Sequence, residues 1–278
     1  MRVRYSFGAR HTKNLTNIKK QRQKYPPIVD EIIRTSDLIL EVLDSRFPEE
    51  TRNRAIEEEI KKQGKTIIFV LNKSDLVNSV EKEKLLRGDI WPYIYISSKQ
   101  RRGSAKLRDL LKREVRKIDL INKRARYQVG IIGYPNTGKS SLINLLSGKS
   151  SAGTGAQAGF TKGMQKIRLT SDILLLDTPG VIPREEYSTE GSAMVKHTKV
   201  YARDYSKVKD PELVVASLMK DYSKELEEFY KIKADGDIEK LLLTLGKQRG
   251  FLAKGGEIDE DRTARLILKD WQTGNIRV

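Results

Sequence analysis

Cysteine is absent from the 278-residue chain, which excludes disulfides, thiolate metal sites and cysteine nucleophiles. The absence fits a reducing compartment, so a cytoplasmic location is expected. Long apolar runs are missing as well. None approaches the roughly 18 to 20 residues that span a bilayer, and the N-terminus lacks the apolar core of a signal peptide. A soluble, unexported protein with no membrane partner is therefore expected, and a monomer is the simplest oligomeric state. No internal repeat is apparent. Acidic residues are missing from positions 1–25, a stretch that holds Arg2, Arg4, Arg10, Lys13, Lys19, Lys20, Arg22 and Lys24.

What is present begins with charge. A net charge of +17 and a pI near 9.8 create a field that attracts polyanions, and nucleic acid is the first partner class it suggests. The basic arm 1–25 is one cluster. A second contains Lys99, Arg101, Arg102, Lys106, Arg108, Lys112, Arg113, Arg116, Lys117, Lys123, Arg124 and Arg126, diluted only by Asp109, Glu114 and Asp119. Either could contact phosphate or be a solvated surface. Hydrophobic residues make up 38% of the chain, enough for real cores, and the length suits two domains.

Short apolar runs alternate with amphipathic stretches from about residue 28 to 180, the rhythm of a parallel sheet with crossover helices. Strands are expected at Leu38–Leu43, Thr66–Leu71, Tyr93–Ile96, Gln128–Ile132, Met164–Leu169 and Ile173–Leu176. Helices are expected at Glu50–Gln63, Val80–Arg87, Ser104–Leu120 and Lys139–Leu146. Lys149–Gly159, rich in Ser, Ala and Gly, reads as a mobile loop. Beyond Pro183 the pattern becomes helical, with Leu213, Ala216, Leu218 and Met219 among the expected core positions. The last helix is bracketed by Asp259 as N-cap and Gly274 as C-cap. Lys254-Gly255-Gly256 reads as a tight interhelical turn, or as a backbone approach to RNA phosphate. The expected organisation is a basic arm 1–25, an α/β domain 26–183 and an all-helical domain 184–278 for RNA or ribosome contact.

Gly133-Tyr134-Pro135-Asn136-Thr137-Gly138-Lys139-Ser140 follows an apolar strand and opens a helix, the context a P-loop requires. Its glycines let backbone N–H groups face phosphate oxygens at a helix N-terminus, where Ser141 continues the first turn. Lys139 is expected on the β- and γ-phosphates, and the Ser140 hydroxyl on Mg²⁺. Asp177-Thr178-Pro179-Gly180 ends a second apolar strand. There Asp177 could hold Mg²⁺ through water, and the Gly180 amide could meet the γ-phosphate. Thr161 is the candidate second hydroxyl ligand for Mg²⁺, so Thr161 and Gly180 together form a γ-phosphate sensor. Lys139, Thr161 and Gly180 are the candidate catalytic groups.

Asn72-Lys73-Ser74-Asp75 follows the strand Thr66–Leu71. The Asp75 carboxylate can accept from guanine N1–H and the exocyclic amine, whereas adenine would leave it unpaired. Asn72 can bridge the base and the phosphate loop, and the Lys73 stem can cover one base face. The next strand ends in Ser97-Ser98-Lys99, the expected backbone contact to guanine O6. GTP and GDP are thus the expected ligands.

All five GTPase motifs are present, but the guanine-reading pair precedes the phosphate loop. In this order the chain resembles a circularly permuted GTPase of the YlqF/RbgA ribosome-assembly type. Further likeness lies in Asp44-Ser45-Arg46-Phe47-Pro48 and in Lys247–Phe251, Gly255–Asp259 and Asp270-Trp271, so nearly the whole length is covered. The resemblance implies an α/β P-loop fold in three layers, with a mainly parallel, circularly permuted sheet and a C-terminal all-helical domain. It also implies rRNA or a pre-ribosomal subunit as partner, and potassium as a candidate ligand of Asn136. Two departures stand out. Gly8-Ala9-Arg10-His11 replaces a Pro-Gly-His-Met-like segment, and Ala158-Gly159-Phe160-Thr161 replaces Pro-Gly-Val-Thr.

Val181 follows Gly180 where many GTPases place a water-orienting Gln, so slow unaided hydrolysis is expected, with help from a partner and potassium. The permutation leads the chain from Gly180 almost directly into the helical domain, so GTP is expected to order Asp177–Glu190 and set that domain's orientation. Two rivals remain open on the sequence. One is a GTP-dependent RNA-binding switch without useful catalysis, and the other a GTPase acting in RNA modification or translation.

Overall fold

A computed structural model describes residues 28–78, 90–122, 126–148, 165–178, 180, 182, 192–200 and 204–277. The basic arm with His11, the expected helix Val80–Arg87, the loop Lys149–Gly159, Thr161, Pro179 and Val181 all lie outside these residues.

Six strands form one sheet in the order β3-β2-β1-β4-β6-β5. They are β1 (Leu38–Asp44), β2 (Thr66–Asn72), β3 (Tyr93–Tyr95), β4 (Tyr127–Gly133), β5 (Gln165–Arg168) and β6 (Ile173–Asp177). All neighbours are parallel except β5, which runs antiparallel to β6 at the edge. Every residue of β1 is buried, as expected of a parallel strand covered on both faces. On one face, Ile32, Ile33 and Ile60 pack on Ile39, Phe69 and Leu71, from α1 (28–35) and α3 (Arg54–Lys62). On the other, α4 (Ser104–Asn122) and α5 (Lys139–Ser147) bring Leu107, Leu111, Leu142 and Leu146 against Leu40, Val42 and Ile131. The result is the three-layer α/β arrangement.

The chain visits β1, β2 and β3 before crossing to β4, so the direction of strand addition reverses between β1 and β4. Ligands of open α/β sheets bind beyond the carboxyl ends of the strands at such a switch point. The register lines up Asp44 with Asn72, Val42 with Gly133 and Ile131 with Asp177. The ends of β1, β2, β4 and β6 therefore carry their polar groups to one rim.

Two expectations need correction. The single helix Glu50–Gln63 is instead α2 (Pro48–Thr51) followed by α3. Asn53 accepts from Ile56 N at 3.2 Å as N-cap of α3, and the buried Arg52 guanidinium is held by Glu57 at 2.6 Å. Leu213, expected in a core, is 58% exposed, and Val214 and Val215 are fully buried in its place, on the same side as the expected Leu218 and Met219.

The helical half consists of α6 (Ser192–Lys199), α7 (Pro211–Tyr230), α8 (Ile238–Arg249) and α9 (Glu260–Thr273). Asp259 caps α9, accepting from Arg262 N at 2.9 Å, and Gly274 closes it at φ 75°. Lys254–Gly256 form a turn closed by the Leu252–Ile258 bridge. The core of these helices, with Leu218, Leu245, Ile267 and Trp271 at its centre, also takes in Phe47, Val77 and Tyr134 from the α/β half. α7 kinks at Tyr222, whose ring lies 5.0 Å from Trp271 and 6.2 Å from Phe47.

Candidate nucleotide site

β4 delivers the chain into the phosphate loop, which turns through Gly133 (φ 146°), Asn136 (φ 59°) and Gly138 (φ 96°) before α5 begins. A side chain at Gly138 would put its Cβ 2.2 Å from Asn72 Nδ2, so the glycine is required both for its dihedral and for this close approach. No side chain caps α5, so the amides of its first turn remain oriented for an anion. Thr137 is fully buried and its hydroxyl donates to Tyr134 O at 3.0 Å, which holds the loop closed.

Lys139 is folded back, its ammonium donating to Gly133 O at 3.1 Å and Tyr134 O at 2.8 Å. Burial pushes this lysine down to about 8, against the opposing pull of Asp177. Asp177 is fully buried at the end of β6, where the next hydroxyl, Thr178 Oγ1, donates to Ile131 O at 2.7 Å. Gly180 lies against the same loop, since a Cβ there would stand 2.7 Å from Pro135 Cα and 3.1 Å from Lys139 Nζ. Ser140 stands on the first turn of α5, half-buried, with Ser141 exposed beside it. The hydroxyl of Ser140 and the carboxylate of Asp177 are hard oxygen donors of the kind Mg²⁺ accepts, its shell completed by water and phosphate. Their chemistry fits that ion.

Asn72 reaches the phosphate loop, as expected, and a second loop besides. Its Nδ2 donates to Thr137 O at 2.9 Å, and its Oδ1 accepts from Ser98 N at 3.1 Å and Ser98 Oγ at 3.0 Å. One side chain thus ties the phosphate loop to the Ser97–Lys99 loop. Asp75 lies on the 3-10 turn Ser74–Leu76 and its Oδ1 accepts from Ser97 Oγ at 2.5 Å. Ser97 in turn accepts from Gln100 N at 3.0 Å. The two candidate base segments are therefore bonded to each other, while Lys99 is exposed.

Lys73 sits in the left-handed region at φ 59°. Its ammonium bonds Asp44 Oδ2 at 2.7 Å, which draws the side chain back toward β1. Asp44 is fully buried, and Arg46 grips it through Nε at 3.1 Å and Nη2 at 2.9 Å. Burial alone would raise the Asp44 carboxyl, but Arg46 and Lys73 hold it well below the usual carboxylate range. Burial likewise lowers Lys73, with Asp44 opposing. Asp44 and Arg46 were legible only as a resemblance; the signal was an acid ending an apolar strand, in register with Asn72. Nothing in sequence spacing reveals that α6 reaches the phosphate loop, with the His197 ring 6.0 Å from Tyr134 and Lys196 Nζ 5.7 Å above it.

The structure thus brings together the expected phosphate residues 133–141, Asp177 and Gly180, and the expected base residues Asn72, Lys73, Asp75, Ser97 and Ser98. The family described as MMR_HSR1, 50S ribosome-binding GTPase, matches residues 128–247. The GTP-binding protein MJ1464 of Methanocaldococcus jannaschii is 40% identical over 266 residues, covering 93% of this chain and 68% of that protein. This chain belongs to the circularly permuted GTPases. Among other members of similar sequence, nucleolar GTP-binding protein 2 of Pneumocystis carinii is 34% identical over 252 residues, covering 88% of this chain and 51% of its own length. The chain spans about two thirds of the first relative and half of the second. For the fold, the GNP-bound YlqF of T. maritima superposes with a TM-score of 0.62 at 23% identity, covering 92% of this chain and 94% of that one. In this permuted GTPase, no helix among the described residues is long and apolar enough to cross a membrane.

Proposed function

We propose that this permuted GTPase is a ribosome assembly factor that binds rRNA or a pre-ribosomal subunit in its GTP state and leaves after hydrolysis. The observation that carries the reading is the continuity between the base segment and a basic surface. Ser97–Lys99 lead through the exposed Arg101 and Arg102 into α4, whose exposed positions include Lys106, Lys112, Arg113, Arg116 and Lys117 against Asp109. At 1.5 Å per residue the helical stretch from Lys106 to Lys117 is about 16 Å long, and such a stripe, extended by Arg101 and Arg102, suits the phosphates of a structured RNA. The family description as ribosome-binding and the nucleolar relatives point to the same partner class.

Within the site, Asp75 reads the guanine edge, and Ser97–Lys99 supply backbone contact to O6. Lys139 leaves its own loop carbonyls for the β- and γ-phosphates, and the Gly180 amide meets the γ-phosphate. Ser140, Thr161 and, through water, Asp177 would hold Mg²⁺, whose charge would offset that of the phosphates. Val181 offers no hydrogen bond to a water, so turnover is slow until the partner is bound. Asn136 would be the residue to hold potassium and so add positive charge at the phosphates; equal GTPase rates in potassium and sodium salts would remove that role.

Ultraviolet crosslinking of the protein to cellular RNA tests the proposal. The expected result is rRNA precursor recovered with a non-hydrolysable GTP analogue and much less with GDP. Contacts should fall in residues 101–117 and be lost in the Lys112→Glu, Arg113→Glu, Arg116→Glu variant. Recovery of transfer RNA, or of no RNA in either state, would overturn it.

A further inference from the structure

The base segment is bound to the last helix of the chain by two separate contacts. The first is polar: Lys73 bonds Asp44, Asp44 bonds Arg46 through both carboxylate oxygens, and the third guanidinium nitrogen, Nη1, donates to Trp271 O at 3.1 Å. The Asp44 and Arg46 side chains are wholly excluded from solvent, and the guanidinium lies 5.1 Å from the Phe47 ring and 5.8 Å from that of Trp271. The second contact is apolar. Leu76, on the 3-10 turn that carries Asp75, packs on Gly274 so closely that a Cβ there would stand 2.9 Å from both of its methyl carbons. Val77, next in the chain, is part of the core of the helical half.

From these contacts we infer that Asp44 and Arg46 are positioning residues that tie guanine binding to the seating of α9 on the α/β half. The inference rests on the reading that Asn72–Asp75 holds the base. Lys73 occupies a left-handed backbone conformation that a side-chain-bearing residue adopts only when its surroundings impose it. The Asp44 bond to its ammonium adds to the backbone bonds Ser74 N to Ile96 O and Leu76 N to Lys73 O in imposing it, and Arg46 keeps Asp44 ionised and oriented. α9 accepts from Arg46 and presses on Leu76, so displacement of α9 loosens both sides of the turn bearing Asp75. Linkage makes the effect reciprocal: a base that steadies the turn must steady α9 by the same factor. This route answers to the base and not to the third phosphate, so GDP and GTP engage it equally.

The test compares two glycines of the helical half that share a left-handed φ. Gly274 (φ 75°) touches Leu76, whereas a methyl group added at Gly236 (φ 80°) would meet nothing within 4 Å. Alanine imposes similar backbone strain at either position, but only Gly274→Ala pushes the base segment. Gly274→Ala is expected to weaken GDP binding about 3- to 10-fold while leaving inorganic triphosphate, measured as a competitor, unchanged. Gly236→Ala should alter neither, and thermal unfolding should show both variants folded. In the wild-type protein, GDP and a GTP analogue should slow amide exchange in residues 260–275 equally, and inorganic triphosphate should not. Equal GDP affinity in both variants, or exchange in 260–275 indifferent to GDP, would overturn the coupling. Failure of the wild-type protein to prefer GDP over ADP would instead overturn the assignment of the base site.

Discussion

Asp75→Asn is expected to weaken GDP binding by about 100- to 10,000-fold and to make xanthosine diphosphate the better ligand. A carboxylate facing guanine accepts two charge-assisted bonds, from N1–H and from the exocyclic amine, each on the order of 1.5 to 3 kcal/mol. Tenfold in affinity corresponds to about 1.4 kcal/mol. Asparagine keeps an acceptor for N1–H but turns an NH₂ toward the amine, so one bond is lost and a donor meets a donor. Xanthine carries an oxygen in place of that amine and restores the pair. The Asp75 side chain is already fixed by Ser97 Oγ, so the exchanged amide has the same anchor. Competition titration with both nucleotides measures the effect; a variant that still prefers GDP would show that Asp75 does not read the base.

Arg46→Ala is expected to cost about 3–5 kcal/mol of stability, the usual consequence of removing one member of a buried ion pair. Asp44 would remain fully buried with Lys73 as its charged partner, and Trp271 O would lose its donor. The same pair shapes the acid limb of stability. The folded Asp44 carboxyl lies well below its usual value, so its contribution is complete above about pH 4, near the unfolded carboxyl value. It declines from there as pH falls toward the lower, folded value, so part of the loss is in range at pH 3. Denaturant unfolding from pH 7 down to pH 3 should show a shallower acid loss in Arg46→Ala than in the wild type. A cost below about 1 kcal/mol at pH 7 would mean that the pair does not anchor the two halves.

What the sequence made legible follows from how locally each feature is determined. The strand runs Leu38–Leu43 and Thr66–Leu71 are apolar because both their faces are buried, and that composition is visible without a partner. The phosphate loop is equally local, since strand, glycine turn and helix lie in consecutive residues. The break between α2 and α3 was not visible, because it depends on the pairing of Arg52 with Glu57 and on the Asn53 cap, within a stretch whose composition is helical throughout. The exposure of Leu213 depends on which side of α7 faces α9. Least legible was the sharing of a core between the halves: Phe47 read only as part of a family likeness and Tyr134 as part of the phosphate loop, while their partners Trp271 and His197 lie far along the chain. Asn72 and Lys73 show the same limit. Their residue types pointed to the base, but their present partners, Thr137, Ser98 and Asp44, come from other strands and loops.

Motifs separated and permuted along the chain would thus meet around one guanine nucleotide. Photolabelling with a 6-thioguanine nucleotide, whose reactive sulfur replaces O6, tests this most directly. The label should fall on peptides containing Asn72–Asp75 or Ser97–Lys99 and be displaced by GDP but not by ADP. Labelling confined to peptides outside these two segments, or displaced equally by ADP, would contradict it.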